Sequence, residues 1–319
     1  MGEFDLIARY FKRPARHAVL GVGDDCALLN AAPGMHMAFS TDSLVEGRHF
    51  LSTVSPVDLG HKALAVNLSD LAACGAKPRA FLLSLTLPRV DEDWLSGFAQ
   101  GLWALADTFD CELIGGDTTQ GPLNINITVM GEVPAGQALL RSNAQVGDDI
   151  YVSGTLGDAR VALEVFRGRL SVPEAVFSAT RSRMERPWPR VALGTALRGV
   201  ASAAADISDG LLGDLGHILT ASRVGADLQA EWALPLLACG PQLNLPSAAQ
   251  LEFVLTGGDD YELVFTAPPQ HSAAVKEAAH ASQTPVTRIG TVRAGQGLQV
   301  IDAQGQALAH QFKSFDHFA

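Results

Sequence analysis

Residues 55–78 read SPVDLGHKALAVNLSDLAACGAKP, and the arrangement of the rest of the chain follows from how this stretch folds. Ser55 suits an N-cap, Pro56 the first helical position, and Asp58, three residues on, completes a capping-box arrangement. Gly75 followed by Pro78 is a stop signal, so the helix is predicted over Pro56 to Cys74. On a helical wheel Leu59, Ala63 and Val66 form one apolar stripe, and Asp70 falls inside it with Asn67 beside it. An isolated carboxylate on a packed face is unfavourable by several kcal/mol, roughly, unless a positive or hydrogen-bonding group meets it. The nearby basic residues, Lys62 and Lys77, lie on other faces. Asp70 therefore either caps a loop or pairs with a distant Arg, or it holds a metal ion together with carboxylates from elsewhere.

With 319 residues, 47% hydrophobic and 18% charged, the chain has room for two domains with large cores. No apolar run approaches the length of a membrane span. Met1-Gly2-Glu3-Phe4-Asp5 is acidic where a secretory signal is basic, and Leu6 stands where a myristoylation motif needs Ser or Thr, so a cytoplasmic protein is expected. Cys26, Cys74, Cys111 and Cys239 are scattered without a C-x-x-C pair, which argues against a disulfide framework or a zinc site. The balance of 23 Lys+Arg against 34 Asp+Glu gives a net charge of −11, and no basic cluster interleaves with aromatics. Nucleic acid is not an expected partner. An acidic chain can still bind a polyanion when divalent cations stand between the two.

Along the chain one grammar recurs, a short apolar strand ending in small residues and then Asp. Ala18 to Gly23 runs into Asp24-Asp25, His36 to Thr41 into Asp42, Cys111 to Gly116 into Asp117, Ala203 to Ala205 into Asp206 and Asp209, and Glu252 to Thr256, through Gly257-Gly258, into Asp259-Asp260. Glu3 to Phe11, Asp91 to Phe109, Val191 to Gly199, Leu211 to Ser222 and Ser272 to Ala281 carry helical spacing. Further strands are expected over Phe81 to Leu87, Asn124 to Val133, Asp149 to Ser153, Tyr261 to Thr266 and Thr287 to Val292. The Gly- and Ala-rich stretch from Pro134 to Gly147 marks a boundary, dividing the chain into 1–136 and 137–319. The order of elements is α+β in both halves.

Strands of one sheet bring their ends to a common edge, so Asp25, Asp42, Asp117, Asp206, Asp209, Asp259 and Asp260 are candidates to share a site with Asp70. So many carboxylates repel one another unless hard cations lie among them, and the supply suggests more than one ion. The neighbouring glycines let backbone N–H groups approach phosphate oxygens. Other phosphate-binding schemes are absent from the sequence: no G-x-x-x-x-G-K-[ST] loop, no protein-kinase signatures, and no third glycine after Gly21-Val22-Gly23 for a dinucleotide fingerprint.

Taken in order, Gly21-Val22-Gly23-Asp24-Asp25-Cys26-Ala27, Ser40-Thr41-Asp42, Gly47-Arg48-His49-Phe50, Asn67-Leu68-Ser69-Asp70-Leu71-Ala72-Ala73, Gly115-Gly116-Asp117-Thr118-Thr119, Asp206-Ile207-Ser208-Asp209-Gly210 and Phe315-Asp316-His317-Phe318 make the chain resemble the thiamine-monophosphate kinase family nearly end to end. That family sits in the superfamily of aminoimidazole ribonucleotide synthetase and selenophosphate synthetase. The resemblance implies an N-terminal ATP-binding α/β domain whose sheet pairs across a homodimer, a C-terminal α+β domain, and Mg2+-dependent transfer of the ATP γ-phosphoryl group to thiamine monophosphate. It implies metal binding by Asp25, Thr41, Asp42, Asp70, Asp117, Asp206 and Asp209, with Asp42, Asp70, Asp117 and Asp209 the residues on which catalysis depends. It further implies nucleotide contacts from Gly116, Asp117, Arg141 and Ser208, and substrate contacts from His49, Asp259 and Phe315. Many relatives carry Glu where this chain has Asp259, which keeps the charge and shortens the reach.

A phosphate monoester acceptor is largely ionised near neutral pH, its second pKa being about 6, so the reaction needs no general base. This accounts for a site rich in Asp without a catalytic His or Cys. Two other readings use the same motifs: another ATP-dependent enzyme of the superfamily, and a non-catalytic divalent-metal or nucleotide-binding module. Against the first, selenophosphate synthetase would have a reactive Cys near a glycine-rich N-terminus and the hydrogenase-maturation relative a C-terminal Cys; here Cys26 is the first thiol and the chain ends in Phe318-Ala319.

Overall fold

The computed structural model describes residues 2–23 and 26–308. Backbone contacts divide the chain into two units, one of residues 1–71 and 76–136, the other of 72–75 and 137–319. The architecture is α+β throughout, and among the described residues no helix is long and apolar enough to cross a membrane.

In the first unit α1 (Glu3–Leu6) continues into a π-helical turn over Ile7–Phe11, followed by β1 (Met35–Val45), α2 (Pro56–Ala73), β2 (Lys77–Leu87), α3 (Glu92–Thr108), β3 (Glu112–Gln120) and β4 (Asn124–Pro134). Ser55 Oγ accepts the N–H of Asp58 at 3.1 Å, as the capping box requires. The strands form one sheet in the order β1-β4-β2-β3, antiparallel except for β2 and β3. Alternation buries Phe81, Leu83, Leu85 and Leu87 of β2 with Ile125, Ile127 and Val129 of β4 on one face. α2 lies against this face, and α3 packs on α2 so closely at Gly101 that a Cβ there would overlap the Val57 carbonyl oxygen. Among the described residues the other face is covered only at one end, where Ala18, Ala27, Leu29 and Met37 pack on Ala80, Ile114 and Met130. Elsewhere it is open, with Phe39 65% exposed and Val45 41% exposed.

The strand expected over Ala18 to Gly23 does not form; Leu20 makes an isolated bridge to Leu28. Instead Glu112 accepts the N–H groups of Arg16, His17 and Ala18 at 2.6, 2.9 and 3.0 Å, so a carboxylate takes the place of a neighbouring strand.

The second unit runs β5 (Asp149–Ser153), α4 (Asp158–Phe166), α5 (Glu174–Glu185), α6 (Val191–Ala196), β6 (Ala203–Ile207), α7 (Leu211–Ser222), β7 (Gly225–Gln229), α8 (Ala230–Ala233), α9 (Ser247–Thr256), β8 (Glu262–Ala267), α10 (Ser272–Ala281), β9 (Val286–Arg293) and β10 (Gly297–Ile301). Its sheet has the order β10-β7-β9-β5-β8-β6, antiparallel except for β10 and β7. Ile150, Val152 and Val264 from the sheet share a core with Leu215 and Ile218 of α7 and Leu251 and Val254 of α9. Glu252 to Thr256, expected as a strand, is therefore the last part of a helix. Leu251, Val254 and Leu255 are buried at helical spacing, and Pro246 precedes the first turn. α5 is fixed by Phe177 edge-on to Phe166 at 5.1 Å, by Met184 packed with Ala159 and Ala162 of α4, and by the ion pair of Arg183 with Glu262.

Candidate active site

Asp42 and Asp117 lie inside β1 and β3 rather than beyond their ends. Register sets Asp42 opposite Ile127, Ile127 opposite Leu83, and Leu83 opposite Gly116, one row across the whole sheet. At about 4.8 Å per strand, three steps separate the Asp42 edge from the Asp117 edge by roughly 14 Å. The sheet thus holds these two acids at opposite edges and does not bring them together.

What the first unit does assemble is a polar seam between β1 and α2. Ser40 Oγ donates to Asp70 Oδ2 at 2.6 Å, and the N–H of Asp42 donates to Asn67 Oδ1 at 3.1 Å. Asn67 is fully buried and anchored through its amide nitrogen to Ala63 O, 3.0 Å away. Alternation turns Thr41 to the opposite side, where its hydroxyl meets that of Thr128 at 3.0 Å. Past β1, His49 Nδ1 accepts the Val45 N–H at 3.0 Å, and Lys62 Nζ donates to His49 O at 3.3 Å. Lys62 is only 2% exposed, a placement its position off the apolar stripe did not reveal. Asp117 stands exposed opposite Ser84. Gly116 before it has φ +146°, and a Cβ there would overlap Leu83 O.

In the second unit Asp206 is buried on β6 opposite Leu263, and the chain turns through Ser208, Asp209 and Gly210 into α7. Asp214, in the first turn of α7, accepts the N–H groups of both Ser208 and Asp209 through Oδ2, at 3.0 and 3.1 Å. Burial pushes the Asp214 carboxyl up to about 7, with the Asp209 charge adding to the rise while the two N–H groups and the Arg141 guanidinium oppose it. Ser208 and Asp209 are thus organised around Asp214, which the sequence reading missed and on which the Arg141 charge acts. Its one signal was an acid in the opening turn of a helix that follows a tight loop. The Gly257–Tyr261 turn rests on this loop: Asp259 N donates to Ser208 O at 2.9 Å and Tyr261 N to Ile207 O at 2.8 Å.

Glu262, also missed, is completely buried and receives Arg190 through Nε and Nη2 at 2.7 and 2.6 Å, Arg183 at 3.0 Å and the Ser153 hydroxyl at 2.6 Å. Its arginines are 79 and 72 residues away in sequence, so no local pattern announces them.

Among the described residues no three His, Cys, Asp or Glu side chains are grouped so as to hold a metal ion. Asp25 and Phe315 lie outside the described residues. The candidate ligands Thr41, Asp42, Asp70, Asp117, Asp206 and Asp209 offer only hard oxygen donors, a set that fits Mg2+ rather than a soft transition metal.

An acid-lined four-stranded sheet followed by an α+β unit with its own six-stranded sheet defines a class of protein: the chain matches the family models for AIR synthase related protein, N-terminal domain, over residues 23–133 and AIR synthase related protein, C-terminal domain, over residues 145–303. Within that class the similarity is specific. Thiamine-monophosphate kinase of Salmonella typhimurium is 47% identical over 323 residues, spanning 100% of this chain and 98% of that protein. The crystal structure of thiamine-monophosphate kinase from Stenotrophomonas maltophilia K279a superimposes with a TM-score of 0.85 at 44% identity, covering 96% of each chain. The structure of AaThiL complexed with AMPPCP and TMP has a TM-score of 0.76 at 30% identity, covering 91% of this chain and 89% of that one. The chain belongs to the thiamine-monophosphate kinase family and is a phosphotransferase.

Proposed function

We propose that this protein, in the cytoplasm, transfers the γ-phosphoryl group of ATP directly to the phosphate of thiamine monophosphate, giving thiamine diphosphate, with Mg2+ as the required ion. The observation that carries the reading is the seam of Ser40, Asp42, Asn67 and Asp70, in which the Ser40 hydroxyl donates to the Asp70 carboxylate and Asn67 Oδ1 accepts the Asp42 N–H. Neutral groups thus order two family-motif acids whose oxygens are of the hard character that cations take. Kinship with AaThiL, solved with AMPPCP and TMP, supports the choice of substrates.

In this proposal Thr41, Asp42, Asp70 and Asp117 of the first unit and Asp206 and Asp209 of the second hold metal, as does Asp25. Gly116, with its backbone N–H, together with Asp117, Arg141 and Ser208, takes the nucleotide. His49, Asp259 and Phe315 take the thiamine phosphate. Asp214 keeps Ser208 and Asp209 in place through their N–H groups, and Asn67 does the same for Asp42. When bound, the metal screens the phosphate oxygens of the two substrates from each other and stabilises the charge of an in-line transfer. No side chain has to remove a proton, because the acceptor oxygen is already ionised near neutral pH.

The same proposal includes a homodimer formed through the open face of the first sheet. Phe39, Val45 and Leu82 lie exposed there at 65%, 41% and 37%, a concentration of apolar surface that association would bury. With Asp42 and Asp117 at opposite edges of one sheet, an ion shared by both needs a second copy of the chain.

Incubation with ATP, magnesium chloride and thiamine monophosphate tests the activity: thiamine diphosphate and ADP are expected in equal amounts. Free phosphate without thiamine diphosphate would mean a hydrolase, and no turnover of ATP would mean a binding module. Light scattering tests the assembly, with Phe39→Asp expected to shift a dimer to monomer.

A further inference from the structure

Asp260 lies next to the proposed substrate contact Asp259, yet it points the other way, into the protein. It is 1% exposed, and Asp158, at the start of α4, is 3% exposed. Each acid commits one oxygen to a backbone N–H: Asp260 Oδ2 accepts from Gly157 at 2.8 Å, and Asp158 Oδ1 from Cys239 at 3.0 Å. The remaining oxygens, Asp260 Oδ1 and Asp158 Oδ2, are both buried without a hydrogen-bond partner. Buried oxygens of this kind are costly to leave unpaired, and the Asp158 charge acts on Asp260, so two ionised carboxylates here are costlier still.

Charged groups near the pair come from several elements, and Arg160 of α4, whose stem lies beside Gly257, is paired with Glu164. Arg183 of α5 and Arg190 just before α6 both bind Glu262 of β8, and the Cys239 thiol is kept neutral by burial and by its hydrogen bond to Asp158 and that residue's charge. Asp158, Asp260 and Glu262 count three acids against Arg183 and Arg190, so one hydrogen added to the set makes the count neutral, and a hydrogen shared by Asp158 and Asp260 would give both orphaned oxygens a partner. Burial raises the Asp260 carboxyl well above the usual carboxylate range, the charges of Asp158 and Glu262 adding to this against the Gly157 N–H and Arg183.

The backbone on either side of Asp260 is strained. Asp259 has φ +67° and Tyr261 φ +50°, both left-handed and neither glycine, conformations unfavourable by about 1 kcal/mol or more each. Something must hold the turn in place. We propose that Asp260 is a positioning residue: its carboxyl group, sharing one hydrogen with Asp158, ties the Gly257–Tyr261 turn to the Gly154–Gly157 loop and so keeps the Asp259 carboxylate facing outward. The outward acid is steadied from its own side by the Tyr261 hydroxyl, 3.3 Å from Asp259 Oδ1. This role rests on the assignment of Asp259 to thiamine phosphate made above.

Asp260→Asn preserves the shape, its amide oxygen accepting the Gly157 N–H and its NH2 donating to Asp158; Asp158→Asn does the same from the other side. Asp260→Ala removes both links. The expectation is that Asp260→Ala raises KM for thiamine monophosphate by about tenfold or more while KM for ATP stays within about twofold, and that Asp260→Asn restores KM to within about threefold of wild type. A second readout needs no turnover. An acid whose folded pKa is raised adds stability below its unfolded pKa of about 3.9 and loses it as pH climbs toward the folded value. The wild-type Tm therefore falls between pH 5 and pH 8 by more than the Tm of Asp260→Asn or Asp158→Asn. Parallel pH slopes in wild type and both Asn variants would overturn the shared hydrogen. An Asp260→Ala variant with lower Tm but unchanged KM for thiamine monophosphate would overturn the positioning role. A wild-type chain that makes no thiamine diphosphate would defeat the substrate assignment and the positioning role with it, while the pH slopes still decide the shared hydrogen.

Discussion

Ser40 Oγ donates to Asp70 Oδ2 at 2.6 Å, so the carboxylate on the apolar stripe of α2 meets a hydroxyl from the edge strand β1. A hydroxyl donor helps to make the acid tolerable at this depth, and under the proposal above its charge serves a cation. Asp70→Asn keeps a carbonyl oxygen for the Ser40 hydroxyl and loses only the charge. Its stability is expected to stay within about 1 kcal/mol of wild type while kcat falls by about a hundredfold or more; thermal unfolding beside steady-state kinetics measures both. Asp42→Asn should behave in the same way.

Asn67 presents a different balance. Its side chain is fully buried, and truncation to Ala removes at once the acceptor of the Asp42 N–H and a donor to the Ala63 carbonyl. Asn67→Ala is expected to lose about 1–3 kcal/mol in urea unfolding, and to lower activity through displacement of Asp42.

Glu112 gives the first unit a pH dependence. Burial raises its carboxyl, but the N–H groups of His17, Ala18 and Arg16 outweigh this, and the net shift is downward. A lowered folded pKa contributes stability above the unfolded value of about 4.3, and that stability is lost as pH falls through the folded pKa. Glu112→Gln should therefore be less stable than wild type by about 1–2 kcal/mol at pH 7, with the gap closing on acidification below about pH 4. Chemical denaturation across that range checks the sign; a gap that widens in acid would contradict it.

Glu262 lies between Arg183 and Arg190 with no exposed surface. Glu262→Gln leaves two partly buried guanidinium groups facing a neutral amide and is expected to lose about 3 kcal/mol, read as a fall in the denaturation midpoint. Removing Ser153 Oγ by Ser153→Ala, which breaks one neutral donor's bond to the same carboxylate, should be milder at about 1–3 kcal/mol.

Local chemistry made much of this legible in advance. The α2 cap at Ser55 and Asp58, the stop near Gly75, the α7 boundaries at Leu211 and Ser222, and the α10 boundaries at Ser272 and Ala281 depend on neighbours within a turn of chain. The misread segments are those whose state is set by distant groups. Glu252 to Thr256 is apolar enough for either period, and packing against α7 selects the helix. Ala18 to Gly23 has the composition of a strand, but Glu112 meets N–H groups at its start where a partner strand would have been needed.

The amino-acid order alone determined which side chains are the candidates for the chemistry: a run of aspartates, each beside small residues, at positions that resemble one family from end to end. Tertiary structure decided how those side chains are held. It set Asp42 and Asp117 on opposite edges of a sheet, placed Ser40 and Asn67 beneath the acids, and turned Asp260 inward behind Asp259. The reason is physical. Donor type is a property of each residue, whereas strand order and the pairing of buried polar atoms arise only when segments far apart in the chain come into contact.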